Sequence, residues 1–271
     1  MIKQAIIPLA GLGTRLLPLT SVIPKELLPI NGKPGLEYIL DECLECGINE
    51  IIFILSKRKQ SIKHYFYSDT FYKKLIKKRG NDKRLKDIYT KIKKFRKRIR
   101  FVYQNSPRGT GDAVLKCKNL IKSNYFLMLM PDDLIIKKNC SKTLIKLHKK
   151  YKASIIASKR VERRNVSRWG IFDVKKINKK DFIIKNVIEK PSIKTAPSNF
   201  AVIGRYILPR KIFKILRYQK PGKGGEIHIT DAIKSLITNK NKFIGHIFAG
   251  KYLDCGSMEG YINSTLKISK V

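Results

Sequence analysis

Four apolar runs recur along the first half of this chain, and their spacing is its strongest constraint on fold. They are Lys3 to Leu9, "EIIFIL" from Glu50 to Leu55, "IRFVYQ" from Ile99 to Gln104, and "YFLMLMPDD" from Tyr125 to Asp133. Helical stretches separate them: one opens at Pro34 and is closed by Gly47, and another follows a glycine loop after Gln104. Strands alternating with helices imply a parallel sheet covered on both faces, which binds ligands beyond the carboxyl ends of its strands. Past Asp133 the pattern changes. A helix from Asn139 to Tyr151 and a strand "ASIIAS" precede "WGIFDV", "FIIKNVIEKP" and "NFAVIGRYIL". A helix from Thr230 to Asn239, a strand "FIGHIFA", the element "KYLDCG" and a closing helix complete the chain. No Pro-, Ser- or Gly-rich linker divides these pieces, so the reading is one α/β domain over 1–271, with a mixed β region laid against a mostly parallel, helix-flanked sheet.

With 43% hydrophobic residues among 271, the chain can bury a full core, which excludes general disorder. A formal charge of +39 points toward nucleic acid, because a basic surface gains by releasing counterions from phosphates. Yet lysine is spread through nearly every segment beside abundant isoleucine and asparagine, as a coding bias would produce. The densest basic stretch, Phe71 to Arg100, carries Leu75, Ile76, Leu85, Ile88, Tyr89, Ile92 and Phe95 at roughly helical spacing. That predicts one packing stripe on a solvated helical excursion, and no specific nucleic-acid partner. Five irregularly spaced cysteines, Cys43, Cys46, Cys117, Cys140 and Cys255, argue against a disulfide framework and for a reducing cytoplasm. Cys43 and Cys46 have metal-pair spacing but no second pair or nearby histidine, so they read as helix residues. No apolar run is long enough for a signal sequence or a membrane span.

The first run leads into "AGLGTRLLPLTSVIPKELLPI", Ala10 to Ile30. Gly11 and Gly13 begin a dinucleotide fingerprint, but Thr14-Arg15-Leu16 breaks both that pattern and the P-loop. A glycine loop at a strand's end still points backbone N–H groups above the sheet, and Arg15 adds a forked cation suited to phosphate oxygens. Pro18, Pro24 and Pro29 restrict the backbone so that Lys25 returns toward the same loop.

"GLGTRLLPLT", "PKELLPI" and "GKP" resemble the signature of the sugar-1-phosphate nucleotidylyltransferases. "VIEKP" (Val187 to Pro191), "APSNFAVIGRY" (Ala196 to Tyr206), "GGEIHITDAI" (Gly224 to Ile233) and "LDCG" (Leu253 to Gly256) resemble that family's bacterial UTP-glucose-1-phosphate uridylyltransferase branch, in family order over almost the whole chain. The resemblance implies a Rossmann-like sheet. Its first half, 1–133, would mainly bind nucleotide, and 134–271 would mainly bind sugar phosphate and form a dimer or tetramer. It implies UTP and glucose 1-phosphate as substrates, with in-line attack of the sugar phosphate on the α-phosphorus and release of pyrophosphate. Two anions must then meet, so cations fixed in advance must cancel their repulsion. Carried over position by position, Arg15 grips the triphosphate and Lys25 sits at the α-phosphate. Lys190 holds the phosphate of glucose 1-phosphate, and Glu189 accepts from sugar hydroxyls. Ala10, Gly11, Gly13, Thr14, Gln104 and Gly109 line the nucleotide, with Gln104 at the uracil edge. Gly170 and Gly204 line the sugar side. Asp132 and Asp254 are the implied ligands of Mg2+, whose hard-oxygen chemistry suits one or two carboxylates plus phosphates and water.

Several positions stay open. Trp169 fits either a glucose contact or ordinary packing. Asn199 falls in the sugar-side motif; Glu226 and Asp231 are expected to position loops or assembly contacts. His64, His148, His228 and His246 match no catalytic position, which fits an attacking phosphate that is already ionised. Close relatives usually carry lysine at Ser21, histidine at Asp112 and valine at Asp133. "GTGDAV" around Asp112 is similar to adenylyl-transferring cousins, so the alternatives are dTTP or ATP as donor, another sugar, or a nucleic-acid binder on this fold. Asp133 either joins the metal's outer shell or caps the next helix.

Overall fold

The computed structural model describes residues 2–80 and 82–269. Met1, Asn81 and 270–271, which the readings of 1–271 and of the basic stretch included, lie outside the described residues. In the first half, strands β1 (Gln4–Pro8), β2 (Pro29–Ile30), β3 (Lys33–Pro34), β4 (Glu50–Leu55), β5 (Ile99–Tyr103) and β6 (Tyr125–Leu129) alternate with helices α1 (Gly35–Glu45), α2 (Gln60–Tyr67), α3 (Asp69–Arg79), α4 (Lys83–Arg96) and α5 (Thr110–Leu115). The second half runs β7 (Asp133–Ile136), α6 (Cys140–Tyr151), β8 (Ser154–Arg160), β9 (Gly170–Lys176), β10 (Asp181–Glu189), β11 (Phe200–Pro209), α7 (Ile212–Tyr218), α8 (Ile229–Thr238), β12 (Phe243–Ile247), β13 (Lys251–Asp254) and α9 (Met258–Ser269).

The runs of β1, β4 and β6 form central strands because both of their faces are buried, whereas the half-exposed β5 lies at the sheet's edge. In β1, Ala5 and Ile7 enter one core and Ile6 the other. In β6, Leu127 and Leu129 oppose Phe126 and Met128 in the same way. Ile39 of α1, Phe66 of α2, Phe95 of α4 and Leu144 of α6 cover the first face. Val114 of α5, Phe213 of α7 and Ile233 of α8 cover the second. The chain is thus an α/β sheet flanked by helices, parallel through β5-β4-β1-β6.

Most of the mixed region continues this sheet rather than lying against it, while β7 and β13 pair apart as a two-stranded ribbon. All ten residues of β11 are buried, and the strand bonds antiparallel to β6 on one edge and to β8 on the other. The result is one nine-stranded sheet in the order β5-β4-β1-β6-β11-β8-β12-β10-β9. Arg205 of β11 is fully buried and clamps β11 to α1: its Nε and Nη2 donate to the Glu42 carboxylate at 2.9–3.1 Å. Its Nη1 donates to the carbonyls of Met130 and Gly204, and the Ser141 amide and hydroxyl donate to Glu42 Oε1, so both charges are bonded on several sides.

The basic stretch is two helices rather than one excursion with one stripe. Tyr72 of α3 stacks on Tyr89 of α4 at 5.2 Å, and Arg96 pairs with Asp69 at 2.6 Å. Leu85, Tyr89, Ile92 and Phe95 are buried, whereas Ile88 is 39% exposed and Leu75 and Ile76 only half-buried. Among the described residues no helix is long and apolar enough to cross a membrane. All five cysteines are free, and burial pushes the Cys46 thiol up to about 12.

Candidate active site

The site lies beyond the carboxyl ends of β1 and β6. After β1 the glycine loop turns into short 3-10 segments, Thr14–Leu16 and, after Pro24, Lys25–Leu27. This return brings Lys25 Nζ to 2.6 Å and Arg15 Nη2 to 3.9 Å from one oxygen, Oδ2 of Asp132. Burial works against the Lys25 ammonium, but the charges of Asp132 and Glu26 outweigh it and hold its pKa above the ordinary value. Burial likewise opposes ionisation of Asp132, and Lys25 reverses that, keeping the carboxyl below its usual range. Under Lys25, Glu26 accepts from buried Lys59 at 2.8 Å through both oxygens.

Asp254 reaches Asp132 from the far end of the chain because β13 pairs antiparallel with β7, with Asp254 opposite Asp133. The Cys255 amide donates to the Asp132 carbonyl at 2.8 Å, which fixes the two segments together. Asp254 Oδ1 accepts from the Gly256 amide at 2.9 Å, a turn-type bond, while Oδ2 meets Arg168 Nη2 at 3.3 Å. A methyl group at Gly256 would sit 2.8 Å from Asp132 Oδ2 and 3.3 Å from Asp254 Oδ1, so glycine keeps the space between the carboxylates open. Among the described residues no three acidic, His or Cys groups form a self-sufficient metal cage. Two carboxylates facing a phosphate-sized cleft nevertheless fit a hard divalent cation that completes its shell with phosphates and water.

Asp133 does not cap a helix. It opens β7; Oδ2 accepts from the Gly204 amide at 2.9 Å and Oδ1 accepts from the Tyr252 hydroxyl. Burial, then the charge of Asp132, pushes its pKa up to about 6.

Two adjoining cavities share Lys25, Thr110, Met130, Asp132 and Glu226 as a common wall. The first, about 330 Å³, is lined by Ala10, Gly11, Gly13, Thr14, Gln104 and Gly109, the whole set read for nucleotide. Gly109 has φ +99°, and a Cβ there would lie 2.6 Å from the Ile227 carbonyl, so glycine serves the approach of 226–228 as well as that of a ligand. The second, about 320 Å³, is lined by Arg15, Gly170, Glu189, Lys190 and Asp254. Glu189 Oε2 accepts from Thr230 Oγ1 at 2.8 Å, and a methyl at Gly170 would stand 3.3 Å from that oxygen. Lys190 follows the end of β10 with φ 44°, a backbone state uncommon outside glycine.

Residues 4–271 match the profile of the nucleotidyl transferase family. The chain belongs to that family. Curated relatives of this nucleotidyl transferase include the UTP-glucose-1-phosphate uridylyltransferase of Bacillus subtilis, 37% identical over 272 residues (99% of this chain, 91% of the relative). That of Pseudomonas aeruginosa is 36% identical over 270 residues (98% and 95%). Among solved structures, a UDP-glucose pyrophosphorylase complexed with UDP-glucose superposes with TM-score 0.88 at 36% identity, covering 100% of this chain and 99% of the other. A Bacillus anthracis protein, at 19% identity and TM-score 0.77, shares the fold.

Other sequence-read positions of this nucleotidyl transferase fall elsewhere. Gly204, read for the sugar side, lines neither cavity: its amide bonds Asp133, and a Cβ would lie 2.4 Å from Met130 Cβ, so its place is behind the wall. Asn199 ties the start of β11 to the Val161 carbonyl at 3.2 Å. Glu226 stands on the shared wall, whereas Asp231 lines neither cavity. Trp169 lines the second cavity and packs on the core. Sequence reasoning missed Arg168, which stacks 5.1 Å from the Trp169 ring and faces Asp254. His228, which matches no catalytic position in the sequence, reaches the second cavity with Nε2 2.7 Å from the Lys223 carbonyl.

Proposed function

We propose that this chain transfers UMP from UTP to glucose 1-phosphate, yielding UDP-glucose and pyrophosphate. The carrying observation is full-length kinship at 36–37% to uridylyltransferases, in a chain whose paired cavities meet at a wall that holds Lys25 and Asp132. An ionised oxygen of the sugar phosphate attacks the α-phosphorus in line. The new P–O bond forms as the bond to the bridging α,β-oxygen breaks, and pyrophosphate leaves with that electron pair. No enzyme nucleophile or proton transfer is required.

Residues 1–133 chiefly serve the nucleotide and 134–271 the sugar phosphate. Arg15 and Lys25 hold the triphosphate, and Lys25 neutralises charge growing at the α-phosphate. Lys190 binds the phosphate of glucose 1-phosphate, while Glu189, oriented by Thr230, accepts from sugar hydroxyls. Asp132 and Asp254 hold Mg2+, which supplies positive charge to the phosphate oxygens when bound. The protein works in the cytoplasm as a dimer or tetramer; five free thiols support the reducing compartment.

Pyrophosphate release measured with glucose 1-phosphate and UTP, dTTP or ATP in turn tests the reading. UTP is expected to give the highest kcat/KM; a clear lead for dTTP or ATP overturns the uridylyl assignment.

A further inference from the structure

Asp112 is buried at the start of α5, immediately after the glycine loop, and the reaction as derived gives it no task. Its Oδ2 accepts a hydrogen bond of 2.8 Å from Gln104 Nε2, and the same nitrogen donates to the Gly109 carbonyl at 3.2 Å. On the other carboxylate oxygen, Arg108 Nη2 and Lys116 Nζ stand 3.8 and 3.7 Å away, which leaves Oδ2 to Gln104. A carboxylate and a backbone carbonyl can only accept, so both amide hydrogens of Gln104 are committed to the protein. Gln104 is 5% exposed and lines the nucleotide cavity, and its Oε1 takes no hydrogen bond from the described residues. The side chain can therefore show a ligand an acceptor and not a donor.

We propose that Asp112 is a positioning residue for base selection: it locks the Gln104 amide so that Oε1 faces position 3 of the pyrimidine, favouring uracil over cytosine. Uracil carries an N–H at that position and completes the bond. Cytosine carries a lone pair there and sets two acceptors against each other, leaving a buried polar group unpaired. The bond to a carboxylate is the stronger of the two that fix Gln104, since charge-assisted hydrogen bonds exceed neutral ones. An asparagine at 112 relaxes the lock, because its own amide can offer either an oxygen or an N–H to Gln104.

This inference rests on the uridylyl reading, and its test is a ratio rather than an activity. For Asp112→Asn, kcat/KM for UTP relative to CTP is expected to fall about tenfold, the size of one hydrogen bond gained or lost. The change should come mainly through KM for UTP, with kcat nearly kept. A purely structural role for Asp112 would lower stability and both turnovers together and leave the ratio alone. Asp112→Ser, which removes the carboxylate without adding bulk, serves as the second variant should the first not fold. The Kd ratio of UMP to CMP, measured without turnover, reads the same selection, so failure of the reaction assignment and failure of this one appear on different axes. A UTP-to-CTP ratio unchanged in a folded variant, or a wild-type preference for cytosine, overturns the proposal.

Discussion

Lys25 shows how residue chemistry and chain path combine: an ammonium on proline-stiffened backbone is held charged against burial by the carboxylate it meets. Replacing Lys25 with alanine is expected to lower kcat by about 10²- to 10³-fold, the usual cost of losing a preorganised charge at a transition state. Asp132→Asn is expected to do at least as much while circular dichroism stays native; turnover within about threefold of wild type in either variant would contradict the assigned roles. Asp133 offers a pH test. Its pKa is raised in the fold from an ordinary 3.8 to about 6, so the folded state keeps a proton that the unfolded chain releases. Its contribution to stability is full below pH 4 and is lost as pH rises through 6. Thermal midpoints of metal-free protein across that window should show this loss in wild type and not in Asp133→Asn; identical slopes would refute it. The residues legible in advance were those inside long family-like stretches, such as Arg15, Lys25 and Lys190. Arg168 was not, because in a chain this rich in cations a single arginine before Trp169 stands out in no way.

At the level of elements, the clamp between β11 and α1 shows what pattern alone conceals. Glu42 occupies a helix position that reads as surface, and Arg205 sits in an apolar strand beside Gly204, yet both are buried against each other. Their pairing depends on residues 163 apart in sequence, which no local periodicity reports. Glu42→Gln should leave the Arg205 guanidinium buried beside a neutral group and cost about 3–5 kcal/mol in denaturant unfolding. A loss under 1 kcal/mol would mean the clamp is ornamental. The apolar runs announced β1, β4 and β6 because buried strands need no polar alternation. That β11 would bond both β6 and β8, and so extend one sheet, depended on edge pairing between distant segments. For the same reason, the motif that places Gly204 on the sugar side does not report that its neighbours are Asp133 and Met130.

Over the whole molecule, the continuous sheet lets two halves of the chain contribute to one cleft. β1 and β6 bring Arg15, Lys25 and Asp132; β9, β10 and β13 bring Gly170, Glu189, Lys190 and Asp254. The charge of +39 surrounds this cleft without defining it. Added RNA should compete at low ionic strength and lose its effect steeply with salt, whereas ribonuclease treatment should leave turnover unchanged; turnover that requires RNA would contradict the enzyme reading. The most direct test of the central claim is a crystal structure with UDP-glucose and Mn2+. It should show uridine beside Gln104 and Gly109, glucose beside Gly170 and Glu189, the diphosphate among Arg15, Lys25 and Lys190, and an anomalous peak between Asp132 and Asp254. UDP-glucose bound elsewhere, with both cavities empty, would contradict the account.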